Sequence, residues 1–197
     1  MLLNDLQPYK IYLASQSPRR RELLAGMGIA FEVMVTDVEE TYDPTWPPEQ
    51  IVMGLSRLKL SPIDMSLHGP KTLFIACDTI VVVDGKIAGK PRDEAEAKRM
   101  LHALSGRTHT VYSGLTVATP AKSLSGYRAT DVVFETLSDE MIQYYIDTYR
   151  PFDKAGSYGV QEWIGRVGIR EIHGSFYNVM GLPTRLLWEM LEEIVGD

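Results

Sequence analysis

Between Thr72 and Val83 the chain reads Thr-Leu-Phe-Ile-Ala-Cys-Asp-Thr-Ile-Val-Val-Val. Its first part, Thr72–Cys77, is continuous and apolar, the pattern of a central strand covered on both faces. Asp78 stands at the end of that strand, with Ile80–Val83 behind it. A carboxylate in such surroundings is costly unless it is paired, metal-bound or catalytic. Asp78 is therefore the first functional candidate, weighed against a capping role. The stretch is too short to span a bilayer and is interrupted by the acid. Asp84-Gly85 is a hairpin turn signal. It sends the chain back through Ile87 to Gly89-Lys90-Pro91, a loop that carries Lys90 towards Asp78.

A second constraint lies near the start. Ile11–Ala14 reads as a buried strand end, Ser15-Gln16-Ser17 turns the chain, and Ser17-Pro18 opens a helix as N-cap and first residue. Leu23, Leu24 and Met27 give that helix an apolar face, and Gly26 or Gly28 can end it. Arg19, Arg20 and Arg21 break the local rule, because helix N-terminal amides already make that end positive. A serine-rich turn joined to a cationic helix start would make a pocket for a polyanion such as a phosphate chain. The alternative is a solvated face on which the arginines pair with Glu22, Glu32 or distant carboxylates.

Formal net charge is −6 over 197 residues, which argues against general nucleic-acid binding, so an anionic ligand needs a locally positive pocket. One cysteine, Cys77, excludes an internal disulfide and a Cys-based zinc site, and suits a reducing cytosol. No segment resembles a signal peptide. Phe31–Val35 alternates like a strand and leads into the acidic turn Thr36–Glu40, then a proline-rich loop over Thr41–Pro48. Glu49–Leu60 fits a helix with Ile51, Val52, Leu55 and Leu58 inward, where Lys59 suits the C-terminal end on dipole grounds alone. Asp93–Leu104 is a further helix stopped by Gly106, and Thr108–Thr119 with Tyr127–Glu135 makes a long hairpin. Ser138 caps a helix with Ile142, Tyr145, Ile146 and Tyr149 inward. Asp153–Gln161 is glycine-punctuated, Arg166–Ile172 reads as a strand, and Gly181-Leu182-Pro183 opens a last amphipathic helix. There is no Walker-type loop, no complete dinucleotide fingerprint and no histidine pair at zincin spacing.

The segments LASQSPRRRELL, ACDTIVVVDGKIAGKP, ALSGRTHTVYSG, FDKAGSYGVQ and GSFYNVMGLP follow one another over nearly the whole length. In them the chain resembles the Maf family of nucleoside triphosphate pyrophosphatases, historically described as septum-formation inhibitors. The resemblance implies one domain over residues 1–197, with an α/β fold similar to inosine triphosphatase. That fold is an elongated mixed sheet flanked by helices, in two lobes with a central cleft. It also implies hydrolysis of a nucleoside triphosphate to the monophosphate and pyrophosphate with a divalent cation, Mg²⁺ or Mn²⁺. Carried across by position, the catalytic group is Asp78, Glu40, Lys59 and Lys90, with Asp78 and Glu40 holding the metal. The phosphate-binding residues fall on Ser15, Arg19 and Arg20. Arg19, Thr79 and Gln161 match the branch acting on dTTP and UTP, and the branch acting on 7-methylguanosine triphosphate differs there. Glu162-Trp163 departs from the smaller residues that relatives often carry after the glutamine. Two other readings stay open: a nucleotide-binding regulator of cell division with little turnover, and a pyrophosphatase for a purine or modified nucleotide. A cytoplasmic enzyme with a small-molecule nucleotide partner is expected, without nucleic acid or membrane, and a homodimer is a family expectation.

Overall fold

The computed structural model describes residues 1–196; Asp197, the last residue of the expected domain, lies outside the described residues. Seven strands form one mixed sheet flanked by helices. In chain order they are β1 (Lys10–Leu13), β2 (Glu32–Val33), β3 (Thr72–Val83), β4 (Lys86–Ala88), β5 (Thr108–Ala118), β6 (Ser123–Phe134) and β7 (Ile169–His173). Their order across the sheet is β2-β1-β3-β5-β6-β7, with β4 paired to β3. The helices are α1 (Leu2–Leu6), α2 (Pro18–Gly26), α3 (Pro48–Leu58), α4 (Glu94–Leu104), α5 (Asp139–Tyr149), α6 (Trp163–Val167), α7 (Phe176–Met180) and α8 (Thr184–Val195). Among the described residues no helix is long and apolar enough to cross a membrane.

The chain divides into two compact units. The first comprises Met1–Asp78, Ser113–Arg128 and the chain from Gly181 onward; the second comprises Thr79–Tyr112 and Ala129–Met180. Strands β3, β5 and β6 contribute residues to both.

In the first unit β2, β1 and β3 run parallel, with Leu13 opposite both Val33 and Ile75. Leu73, Phe74, Ile75, Ala76 and Cys77 are all fully buried, as a strand covered on both faces requires. Helix α3 buries Ile51, Val52 and Leu55 as its periodicity predicts, and also Ser56. The Ser56 hydroxyl shares a hydrogen bond with Thr116 of β5 at 2.7 Å, and Thr116 a second with Ser125 of β6 at 2.9 Å. Gly114 of β5 lets α3 approach closely, since a Cβ there would lie 2.2 Å from the Val52 carbonyl. Helix α8 buries Leu186, Leu187, Met190, Leu191 and Ile194, the stripe its sequence shows.

In the second unit the hairpin turn at Asp84-Gly85 has positive φ at both residues, 50° and 72°, as a tight two-residue turn demands. It pairs Val81 with Ala88. Helices α4 and α5 start on the side chains of Asp93 and Ser138, each accepting a backbone N–H of its first turn. His109, 2% exposed, shares a 2.7 Å hydrogen bond with the buried Tyr158 and stacks on Phe134.

Several expectations are corrected. Strand β3 does not stop before Asp78 but runs through it to Val83, because the β-branched residues beyond the acid find a partner in β4. The strand expected over Phe31–Val35 shrinks to Glu32–Val33, since β1 ends at Leu13 and offers no further partner. The strand expected over Arg166–Ile172 begins only at Ile169, because 163–167 coil into α6 and Gly168 ends that helix. The short helices α1 and α7 carry too few residues for a periodic signal.

Candidate active site

Asp78 lies in the middle of β3 and is 7% exposed. Its carboxylate is met by the ammonium of Lys59, the residue that closes α3. Lys59 in turn reaches Glu40, with Nζ 3.1 Å from Oε1. The helix dipole favours a cation where Lys59 sits, but the side chain is spent on two carboxylates and not on the helix end. At an effective dielectric near 20, each such close pair carries about 4 kcal/mol of gross attraction, and desolvation cancels most of it. The trio places charge at a chosen point and adds little to stability. Thr36 fixes the segment that bears Glu40, its hydroxyl donating to the Lys59 carbonyl at 2.7 Å.

The second cluster surrounds the start of α2. Ser17 caps the helix, accepting the Arg20 N–H, and Pro18 occupies the first turn as expected. Ser15, 8% exposed, accepts the Ser17 N–H at 3.2 Å and an Arg20 guanidinium N–H at 3.4 Å. Arg20 Nε donates to the Gly181 carbonyl at 2.8 Å, and the same carbonyl accepts the Cys77 thiol at 3.2 Å. Gly181 has φ of 111°, a conformation that side-chain-bearing residues rarely adopt. The Gly-Leu-Pro turn before α8 thus anchors Arg20 and the residue before Asp78 through one oxygen. The parallel register of Leu13 with Ile75 puts Ser15 level with Cys77, where β1 gives way to α2. Strand ends that hand over to helices in this manner are the usual ligand sites of parallel α/β sheets.

The structure therefore joins Asp78, Lys59 and Glu40 directly, and Ser15 with Arg20. Arg19, half-buried, lies in the first turn of α2. Thr79, Lys90 and Gln161 belong to the second unit: Thr79 in β3, Lys90 exposed after β4, and Gln161 after the glycine-rich segment. Sequence reasoning missed the Gly181 carbonyl and the Thr36 hydroxyl, since neither carries a signal beyond a turn glycine and a loop threonine.

No group of three or more acidic, histidine or cysteine side chains gathers at one point among the described residues. Asp78 and Glu40 nonetheless converge on a single cation, the Lys59 ammonium. Two carboxylate oxygens suit Mg²⁺ or Mn²⁺, which take one or two carboxylates and complete their shell with water and phosphate.

In fold and in the residues around Asp78, the chain is a mixed α/β protein with a buried mid-strand acid paired to a cation at a helix end. The sequence model of the Maf family, described as Maf-like protein, matches residues 10–194, and the chain belongs to that family. A dTTP/UTP pyrophosphatase of Porphyromonas gingivalis is 47% identical over 194 residues, covering 98% of each chain. That of Phocaeicola vulgatus is also 47% identical, over 98% of this chain and 100% of the relative. Among solved structures, the Ham1 protein of Staphylococcus aureus is similar over 64% of this chain and 71% of that one, at 15% identity and a TM-score of 0.44.

Proposed function

We propose that this protein hydrolyses dTTP and UTP to the monophosphate and pyrophosphate. The observation that carries the reading is the buried mid-strand Asp78, linked to Glu40 through the Lys59 ammonium that pairs with both. Near-full-length relatives named for this activity support it.

In this reading Ser15, Arg19, Arg20 and the first amides of α2 bind the phosphate chain, and Lys59 and Lys90 neutralise it. Lys59 leaves the two carboxylates for the phosphates when the nucleotide enters. Asp78 then takes a proton from a water molecule whose oxygen bonds to the α-phosphorus. The bond from that phosphorus to the bridging oxygen breaks, and the electron pair leaves with pyrophosphate. Asp78 and Glu40 would hold the divalent cation, which supplies charge neutralisation on the phosphate oxygens. Arg19, Thr79 and Gln161 select the pyrimidine base. In this reading the protein works in the cytoplasm on a small-molecule nucleotide, without nucleic acid or membrane, and a homodimer stands only as a family expectation.

The test is pyrophosphate release from a panel of nucleoside triphosphates, with and without a chelator. The expected result is turnover highest for dTTP and UTP and abolished by the chelator. Absence of pyrophosphate from both pyrimidine nucleotides overturns the reading.

A further inference from the structure

Resting on that reading, in which Gln161 meets the base, we infer that Glu162 is a positioning residue for Gln161, acting with Tyr145 and Lys154 as a buried brace. The pyrophosphatase mechanism gives Glu162 no task. Its carboxylate accepts the Tyr145 hydroxyl on Oε2 and lies 3.1 Å from the Lys154 ammonium through Oε1. Lys154 is 7% exposed and also reaches Asp153 at 2.7 Å. Tyr145, fully buried on α5, accepts the Gly159 N–H at 2.9 Å, while the Glu162 N–H donates to the Gly159 carbonyl at 3.0 Å. These bonds close a ring through Tyr145, Glu162 and Gly159. Burial first, and Glu162 second, raise the Tyr145 pKa, so the phenol stays a donor.

Two glycines make the ring fit. A Cβ on Gly159 would lie 2.8 Å from the Glu162 carboxyl carbon and 3.1 Å from Lys154 Cε. A Cβ on Gly165 would lie 1.8 Å from the Val160 carbonyl, so α6 presses directly on the backbone beside Gln161. Gly159, Val160 and Glu162 are thus each hydrogen-bonded or closely packed, and Gln161 lies between them. Its side-chain Oε1 is buried without a hydrogen-bond partner among the described residues. An unpaired buried acceptor is unfavourable, and a loose segment would turn it out to water. A uracil or thymine edge offers an N–H beside a carbonyl oxygen. A carboxamide matches that edge only if its own oxygen and nitrogen are held in fixed places. Charge-assisted bonds of the half-buried Glu162 to the buried Tyr145 and Lys154 supply that rigidity.

The experiment compares Glu162→Ala, Tyr145→Phe and Glu162→Gln with the unaltered protein on dTTP, UTP and dATP. Glu162→Ala and Tyr145→Phe should raise KM for both pyrimidine nucleotides about 10-fold with kcat within about twofold, and cut the preference for dTTP over dATP about 10-fold. Glu162→Gln, which retains an oxygen for Tyr145, should recover most of the loss. Amide hydrogen exchange over 159–161 should be faster in Glu162→Ala, a readout independent of any substrate. Exchange unchanged there, or a fall in kcat equal for all three nucleotides with KM unaltered, overturns the inference. If Glu162→Ala does not fold, Tyr145→Phe gives the same two measurements. Failure of the unaltered protein to cleave dTTP and UTP overturns the reading beneath, and is seen before any variant is made.

Discussion

In the proposed reaction much of the chemistry rests on two single side chains, Asp78 and Lys59. Replacing Asp78 with Asn keeps the size and removes the base. Turnover of dTTP should fall about 10²–10⁴-fold. The thermal midpoint should barely move, because Glu40 still pairs the Lys59 ammonium. Near-normal steady-state turnover by the Asn variant would remove Asp78 from the mechanism. Lys59 makes a second, less obvious prediction. Its ammonium stands on the two carboxylates proposed to hold the divalent cation, so on that proposal the two cations compete in the nucleotide-free protein. Lys59→Met should therefore bind Mn²⁺ about 10-fold more tightly without nucleotide, measured by calorimetry, while catalysis is lost. Equal Mn²⁺ affinity in the two proteins would separate Lys59 from the metal site. The positive φ of Gly181 belongs at this scale too. Its carbonyl holds the Arg20 guanidinium, and no side-chain chemistry in the sequence announces that role.

At the scale of elements, α3 is placed by packing and by one hydroxyl chain, and its placement is what delivers Lys59 to Asp78. Ile51, Val52 and Leu55 face inward as periodicity predicts, whereas Ser56 looks like a surface residue until Thr116 and Ser125 are found beside it. Gly114 makes a tight contact with α3, the Val52 backbone lying 2.2 Å from the place a Cβ would occupy. Backbone on the other side cannot rotate away, so Gly114→Ala should cost about 1–3 kcal/mol in urea unfolding and lower activity by shifting α3. A variant of unchanged stability would show that α3 slides along β5 without loss. The run through Asp78 was only half legible at this scale. Its first part reads as a buried strand from composition alone. That the strand continues past the acid depends on β4 returning along it, a pairing that no local pattern encodes.

For the whole molecule, acid stability has a titratable handle in His109. Burial lowers its pKa from 6.5 to about 4, with Asp131 opposing weakly. Above pH 6.5 the imidazole is neutral in folded and unfolded chains alike, so it adds no pH dependence there. As pH falls below that value the unfolded chain takes up a proton that the folded protein refuses until about pH 4. Stability should therefore decline through this window by about 3 kcal/mol, and His109→Phe should flatten the slope in urea titrations at several pH values. A slope unchanged by the substitution would assign the acid sensitivity elsewhere. By itself the sequence determined the caps at Ser17 and Ser138 and the inward faces of the long helices. These follow from periodicity and capping chemistry, which act over a few residues. Through its motifs it also carried the family, with its α/β class, and the identity of the candidate site residues. The tertiary structure alone decided that Lys59 serves two carboxylates, that one carbonyl anchors Arg20 and Cys77, and that Glu162 meets Tyr145. Those contacts join residues far apart in the chain, and their energies depend on burial and distance, quantities that exist only once the chain has closed on itself.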